Sequence, residues 1–419
     1  MPSPRRHSWP LRIGLLTHSV NPRGGVVHTL ELASALHAAG HRVTVFAPAL
    51  AGQQLFRPVP FAVELVRVEP HAGGTAGMVA ARMDALERYL NGVLQQEHFD
   101  VLHAQDPIGA NALANLQEQG LIDGFVRTVH HLDTFTDPHL THWQTRGMQA
   151  ASAVLCVSRH WCHVLQNDYG IAAHQVHNGV DLQRYHRTAT GADQALRERF
   201  GLRGGSSAPV ILAVGGIEER KNSLRILEAF AQLRHNPLQS HSQAQLVIAG
   251  GTSLLDHDAY VREFHARLAA MPLSQGAGGD VVITGALPDA DMPALFRSAD
   301  VLAMPSLREG FGLVVLEALA SGTPVAVSRI APFTEYLSDA DCSWADPQDS
   351  ASIAAALQAA LQPARAQALQ TTPAVCHQFS WTSSALRHVD LYHAQVALRR
   401  NGLMPHSRFS GDHHARYAL

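Results

Sequence analysis

The chain is poor in cysteine: only Cys156, Cys162, Cys342 and Cys376 occur in 419 residues. None forms a Cys-x-x-Cys pair, so neither a disulfide framework nor a thiolate zinc site is suggested, and a reducing compartment is expected. Charge is also sparse, with 16% Asp, Glu, Lys and Arg and a formal net charge of −3. That balance gives no basic excess for gripping a nucleic-acid backbone. No apolar run approaches the ~20 residues needed to span a bilayer. Arg5 and Arg6 precede an apolar stretch over 11–16 that is too short for a signal-peptide core. A cytoplasmic protein is therefore expected, with at most peripheral contact to the inner face of a membrane. The 27 histidines are scattered and form no helical His-x₃-His pair.

A dinucleotide fingerprint is missing as well. The first glycine turn reads Asn21-Pro22-Arg23-Gly24-Gly25, and Val45-Phe46-Ala47-Pro48 ends the second strand without an acidic residue. Both parts of the Gly-x-Gly-x-x-Gly signature are thus absent, which disfavours a dehydrogenase.

What is present is a long alternation of two periods. Short β-rich runs over 11–17, 42–46, 63–68, 101–103, 126–129, 153–157 and 175–176 are interleaved with helical patterns such as 26–39 and 82–96. Leu30, Ala33 and Leu36 share one face of the first helix; Leu86, Leu90, Val93 and Leu94 share one face of the second. A polar stretch, 184–194, interrupts the pattern. A second series follows, with strands over 210–214, 245–249, 281–284, 301–304 and 325–328 and helices over 222–233, 260–270, 292–298 and 313–321. Alternation of this kind predicts doubly wound parallel sheets. The expected fold is α/β, two Rossmann-like domains over 1–185 and 186–378. A helix over 379–400 follows, and 401–419 is expected to be a mobile tail. Such domains bind ligands at the carboxyl ends of their strands, so a shared cleft is the expected site.

The densest chemistry lies in Pro305-Ser306-Leu307-Arg308-Glu309-Gly310-Phe311-Gly312-Leu313-Val314-Val315-Leu316-Glu317. A strand end, a glycine turn and a helix start together make an anion site. The N–H groups of Phe311, Gly312 and Leu313 lack intrahelical partners, and the helix dipole points its positive end at a ligand there. Gly310 and Gly312 allow close approach of the main chain. Glu309 and Glu317 flank the turn and can accept hydrogen bonds from sugar hydroxyls on either side of a diphosphate. Two solvated glutamates on an amphipathic helix would be the plain alternative.

Three further places invite chemistry. His130 and His131 end the strand over 126–129, and alternation sends only one of them toward the cleft; His130 is the candidate. Gly215-Gly216-Ile217-Glu218-Glu219-Arg220-Lys221-Asn222 opens a helix and presents Lys221 as a phosphate partner. The turn over 21–25 suits a phosphate or a hydroxylated acceptor. Three Asp-x-Asp triplets, at 256–258, 289–291 and 339–341, raise a divalent metal as an alternative. A helix cap is the better account of Asp289, and no metal is expected.

In combination these pieces resemble the family 4 glycosyltransferases of GT-B fold, over nearly the whole chain. The resemblance is carried by Gly24-Gly25 with Leu32-Ala33, Leu36 and Gly40-His41-x-Val43, by Thr128-Val129-His130, and by Asn178-Gly179-Val180-Asp181. The Gly215 to Lys221 turn, Gly285, and Glu309-x₇-Glu317 with Gly322-x-Pro324-Val325 complete it. It implies a central cleft between two lobes, a donor site on the second lobe and an acceptor site on the first. It also implies that Glu309 and His130 contact the donor sugar, that Glu317 contacts the ribose and that Lys221 contacts the diphosphate. Gly25, Gly216, Arg220, Gly285, Leu287, Gly310, Phe311, Gly312 and Leu313 would line the donor. The C-terminal helix would cross back onto the first lobe. Gly216 departs from the family pattern, standing where arginine is usual, and Asn222 stands where glycine is usual. Whether Arg220 compensates is left open by the residues alone.

The expected activity is retaining, metal-independent transfer of a hexose-type sugar from a nucleoside-diphosphate sugar. The acceptor would be a small molecule, a glycan or a lipid, no nucleic acid is involved and no cofactor is needed beyond the donor. The rival readings are a nucleotide-sugar epimerase or hydrolase on the same scaffold and a non-catalytic nucleotide-sugar binder.

Overall fold

The computed structural model describes residues 9–71, 73–205, 207–235, 241–251 and 258–401. Thirteen strands among them form two parallel sheets, one per lobe. The first sheet contains β1 (Arg12–Leu16), β2 (Arg42–Ala49), β3 (Ala62–Arg67), β4 (Val101–Ala104), β5 (Val126–Val129), β6 (Ala153–Cys156) and β7 (Ala173–Gln175). The second contains β8 (Val210–Val214), β9 (Gln245–Ala249), β10 (Val281–Gly285), β11 (Val301–Met304), β12 (Val325–Ser328) and β13 (Ser343–Ala345). The orders are β3-β2-β1-β4-β5-β6-β7 and β10-β9-β8-β11-β12-β13. Each order reverses once, between β1 and β4 and between β8 and β11. Those are the switch points at which such sheets open a crevice at their carboxyl ends.

Both faces of each sheet are covered by helices, so the strands read as continuous apolar runs. In the first lobe Ile13, Leu15, Val43 and Val45 pack against Gly24–Ala38 and Trp381–Arg400, while Phe46, Leu102 and Ala104 pack against Gly74–Leu94 and Pro107–Glu118. In the second lobe Ile211, Leu246 and Ile248 face Phe230, Phe264 and Leu357; Leu212, Val247 and Leu302 face Phe296, Val315 and Leu316. Strand β2 runs on through Pro48. This is tolerated because its pairing to β1 has already ended at Phe46.

The chain crosses between lobes at one seam. Gly179 lies so close to the backbone of Ser380 and Trp381 that a Cβ would collide with it, and Val180 donates to the Phe379 carbonyl at 2.9 Å. Helix Trp381–Arg400 begins here, capped by Ser380 on the Ser383 N–H at 3.1 Å, and lies along the first lobe. Trp381, Ala385, Val389, Tyr392 and Val396 join that lobe's core, where each fully buried aliphatic side chain contributes about 1.5–3 kcal/mol. The Tyr392 hydroxyl lies 2.6 Å from His103 Nδ1.

Several helices fill the expected alternation at places where the sequence pattern set no bounds: Pro107–Glu118, Pro138–Gln149, Arg159–Tyr169 and Ser350–Ala360. Each is capped by a side chain, from Asp106, Asp137, Ser158 and Asp349 respectively. The polar stretch over 184–194 does not end in a loop; helix Gly191–Phe200 starts within it and closes on Gly201 in the left-handed conformation. Residues 1–8 and 402–419, including Arg5, Arg6 and nearly all of the expected tail, lie outside the described residues, as do Asp256 and His257 of the first Asp-x-Asp triplet. No described helix is long and apolar enough to cross a membrane.

Candidate active site

Glu309 follows β11 on the loop that leads into helix Leu313–Ala320. Its carboxylate is buried and engaged on both oxygens. Lys221 Nζ lies 2.7 Å from Oε2, while Arg220 Nη1 at 3.3 Å and the Gly310 N–H at 3.1 Å reach Oε1. Burial by itself would raise this carboxyl, but the two cations outweigh it and hold it at about 2. Burial lowers Lys221 from its ordinary value, with Glu309 acting against that shift. Arg220 is also anchored on Glu218 at 3.0 Å.

The loop carrying both cations is shaped by residues without ordinary backbone angles. Gly216 has φ +76°, and a Cβ there would stand 2.7 Å from the Gly251 carbonyl oxygen. An arginine at this place would meet both obstacles, and the guanidinium enters instead from Arg220. The Gly216 N–H is already donated to the Ala249 carbonyl at 3.0 Å, so this glycine offers closeness rather than a free donor. Asn222 has φ +66°, which asparagine tolerates better than most residues. Its buried amide ties the loop to the carbonyls of Pro305 and Pro347 at 2.9 and 2.7 Å.

The helix start is open. Gly312 has φ +89° at the N-cap and no side chain caps it. The N–H groups of Phe311, Gly312, Leu313 and Val314 donate to no group among the described residues. Phe311 is buried; its ring stacks on Tyr336 at 4.9 Å, and its carbonyl accepts from the Tyr336 hydroxyl at 2.8 Å. Leu313 packs against the cores of both lobes. Gly285 ends β10 with open space where a Cβ would be, and its carbonyl receives the Gly250 N–H. The Leu287 side chain is turned into the core of the second lobe.

The first lobe meets this loop directly. The Gly310 backbone lies against the His130 carbonyl oxygen so closely that a Cβ at 310 would overlap it. Trp161 Nε1 donates to the Glu309 carbonyl at 3.1 Å. Glu335 accepts from the N–H groups of Arg159 and His160 at 2.8 and 2.7 Å. Thus the backbone of His130 adjoins the loop that carries Glu309, and Lys221 pairs with Glu309 on the other side of that loop. His130 Nε2 lies 3.3 Å from Gln105 Oε1, and its ring meets His28 edge-on at 4.5 Å. Burial pushes His130 well below the ordinary histidine value, and the charges of neighbouring His28 and Arg127 add to this. His131 turns elsewhere, 3.4 Å from Asp133. Gly25 lies in the first lobe, 3.9 Å (at its would-be Cβ) from the His18 ring.

Glu317 is buried midway along helix Leu313–Ala320, where burial raises its carboxyl to about 7, against the pull of Arg184. Around it lies a network that no spacing in the sequence announces. Arg184 Nη2 is 2.8 Å from Asp289 Oδ2, and Arg57 of the first lobe reaches Glu31 at 2.7 Å and Asp289 at 3.6 Å. Asp289 is therefore not the expected helix cap: no side chain caps helix Met292–Arg297, and the carboxylate is used on two arginines instead. In the third triplet Asp339 accepts from Trp344 Nε1 and Asp341 from Ser338. A cavity of about 560 Å³ lies at the opposite, amino ends of the first-lobe strands, lined by Phe99, Asp100 and Arg399, away from these residues.

Two doubly wound lobes closing on an open helix start, with a carboxylate between two cations, define a GT-B glycosyltransferase. Comparison with known proteins agrees. The model "Glycosyltransferase Family 4" matches residues 22–184 and "Glycosyl transferases group 1" matches 196–370. The chain belongs to this family of glycosyltransferases. It is 29% identical over 397 residues to a phosphatidyl-myo-inositol mannosyltransferase of Mycolicibacterium smegmatis, covering 91% of this chain and 93% of the relative. It is also 29% identical to a D-inositol 3-phosphate glycosyltransferase of Xylanimonas cellulosilytica, covering 90% and 93%. Among solved structures, Anabaena HepE in complex with UDP and glucose superposes with a TM-score of 0.70 at 18% identity, covering 92% of this chain and all of the other. Sucrose-phosphate synthase from Thermosynechococcus elongatus does so with 0.71 at 20% identity, covering 92% and 99%.

Proposed function

We propose that this glycosyltransferase moves a hexose-type sugar from a nucleoside-diphosphate sugar to a hydroxyl acceptor, with retention at the anomeric carbon and without a metal ion. The observation that carries the reading is Glu309 held between Lys221 and Arg220 beside the open start of helix Leu313–Ala320. In this reading the diphosphate docks on the free N–H groups of 311–314 and on Lys221. Glu309 and His130 take hydroxyls of the donor sugar, and Glu317 takes the ribose.

The bond from the anomeric carbon to the diphosphate oxygen breaks, and the acceptor oxygen bonds to that carbon on the same face. The acceptor proton leaves on the departing diphosphate. Charge then accumulates on the diphosphate, where Lys221, Arg220 and the helix dipole stabilise it. Fixed cations here supply the charge stabilisation that a divalent ion supplies in other transferases. A hexose donor is supported by the mannosyltransferase among the relatives and by the UDP and glucose held by HepE. The phosphatidyl-myo-inositol and inositol 3-phosphate named for the relatives favour a polyol acceptor, free or on a lipid, reached from the cytoplasm or at the membrane surface.

A thermal-shift screen of UDP, GDP, ADP and dTDP sugars tests the donor, because a ligand at 100 times its dissociation constant adds about 2.7 kcal/mol. NMR of the product then reads the anomeric configuration. Stabilisation by none of these sugars, or an inverted product, overturns the reading.

A further inference from the structure

We propose that Gln105 is a positioning residue for His130: its carbonyl oxygen takes the Nε2 proton of that ring and leaves the Nδ1 lone pair facing the cleft, where a hydroxyl of the donor sugar donates to it. This assignment rests on the reading of His130 as a contact of the donor sugar, while the state of the ring itself is measurable on the free protein.

Gln105 follows β4 at the switch point of the first sheet, and its N–H extends the ladder by donating to the Leu16 carbonyl at 3.0 Å. The side chain is buried and reaches across to the end of β5. Its Oε1 lies 3.3 Å from His130 Nε2, and its Nε2 lies 3.3 Å from both ring nitrogens of His103.

The direction of this amide follows from what surrounds His103. That ring is fully buried, and burial holds it well below the ordinary histidine value, so it is neutral. The Tyr392 hydroxyl, 2.6 Å from its Nδ1, is raised by burial and keeps its proton; it has no other partner among the described residues and donates to Nδ1. His103 Nε2 then carries the ring hydrogen and donates to Thr128 Oγ1 at 2.8 Å. Both in-plane directions of the ring are thus taken, and a group equidistant from the two nitrogens rests on its face. An aromatic face is negative, so it attracts an N–H and repels a carbonyl oxygen. The NH₂ end of Gln105 therefore belongs on His103, and the oxygen is left for His130.

A carbonyl oxygen only accepts, so Nε2 is the protonated nitrogen of His130. Burial keeps this ring neutral, with Arg127 and the neighbouring His28, His131 and His103 acting in the same sense. Its Nδ1 is then a bare lone pair. That atom has no hydrogen bond among the described residues and, unlike Nε2 of His28 and of His388, is not sealed from solvent. The tilt of the ring is held separately. His28 meets it edge-on at 4.5 Å and is itself anchored through Nδ1 to Asn178 Oδ1 at 2.9 Å. His28 sets the plane and Gln105 sets the proton, and together they fix what the ring offers the cleft.

Long-range proton–nitrogen-15 correlation spectra of the full chain at pH 8 test this, because they separate a protonated ring nitrogen from a bare one. Among the 27 histidines, the His130 signals are identified by their loss in His130→Gln. The wild type is expected to carry its proton on Nε2. Gln105→Leu should abolish that preference, and Gln105→Glu, which keeps an oxygen acceptor in the same place, should restore it. In transfer assays Gln105→Leu should lower kcat about 30-fold, the effect of losing one buried hydrogen-bond partner, and Gln105→Glu should recover about tenfold of that. Binding of the nucleoside diphosphate alone should stay near the wild-type value in both, and thermal melts report folding. A proton on Nδ1 of wild-type His130, or an unchanged tautomer in folded Gln105→Leu, overturns the proposal. If Gln105→Leu does not fold, the wild-type spectrum still decides. Absence of turnover with any nucleotide sugar sinks the transferase reading alone, since the spectra need no substrate.

Discussion

The ε-ammonium of Lys221 stands 2.7 Å from Glu309 Oε2, and the two side chains are only 15% and 10% exposed. A pair so far removed from water is held by its partners rather than by solvent. Removing one member of such a pair costs about 3–5 kcal/mol, because the other charge is left buried. Arg220 softens this for Lys221→Ala, since it remains beside Glu309. Glu309→Ala takes the shared carboxylate from two cations and should be the less stable variant. Lys221→Ala should lose about 10²–10³-fold in transfer rate, the usual size for removing one group that stabilises a developing charge, and Glu309→Ala should lose about 10²-fold because the sugar contact that positions the donor is gone. The double variant Glu309→Gln/Lys221→Met should regain much of the stability and none of the rate. Thermal melts and initial rates on the three proteins decide it. Transfer at the wild-type rate in either single variant rules out this site.

Glu317 and Glu309 should give the protein opposite responses to pH. Glu309 has its folded carboxyl lowered from 4.5 to about 2, so its contribution is present above pH 4.5 and is lost as pH falls toward 2. Glu317 has its folded carboxyl raised from 4.5 to about 7 by burial, with Arg184 opposing. A raised carboxyl stabilises the fold fully below pH 4.5, and that contribution drains away as pH climbs through 7. The size is about 3 kcal/mol, since each tenfold change in proton affinity is worth ~1.4 kcal/mol. Glu317→Gln should therefore flatten the decline in urea midpoint between pH 5 and 8, and should weaken nucleotide-sugar binding in the same variant. A decline as steep as in the wild type would show that another group sets this slope.

The architecture was legible because its signals are local. Runs such as Val210–Val214 and Val301–Met304 are apolar on both faces and bounded by turn residues, which is how a covered parallel strand reads. The glycine-containing turns that carry Lys221 and Glu309 were legible for the same reason, each lying between a strand and the start of a helix. The sheet order then brings them together on either side of the β8–β11 switch point. Arg57, Glu31, Arg184 and Asp289 were not legible as a group. Only the approach of two lobes puts residue 57 beside residue 289. Asp289 followed by a helix satisfied the local rule for a cap, and two tertiary arginines overrode it. Gly216 was legible only as a departure; the Gly251 carbonyl that forbids a side chain there lies on another loop. The motif Asn178-Gly179-Val180-Asp181 was likewise legible as a signature but not as a seam. Its asparagine meets His28 at 2.9 Å, and its glycine makes room for the returning chain.

Gly310 gives the sharpest test of whether transfer needs the lobes this close. Its backbone touches the His130 carbonyl oxygen, and a single methyl group at 310 would occupy that contact. The open helix amides over 311–314 and the Lys221–Glu309 pair all belong to the second lobe, so the diphosphate grip survives such a change. What is lost is the approach of His130 and, with it, the sealing of the cleft against water. Closed clefts of this kind keep water from competing with the acceptor. Gly310→Ala should therefore leave the nucleotide dissociation constant within about threefold and lower transfer about 10²-fold, the size of loss that follows from displacing a catalytic element by 1 Å. Donor consumed by hydrolysis should rise relative to donor transferred, and small-angle scattering should report a larger radius of gyration with nucleotide bound. If Gly310→Ala transfers at the wild-type rate with an unchanged hydrolysis ratio, the contact between these two residues is a packing detail and closure must be sought at the Trp161 and Glu335 contacts instead.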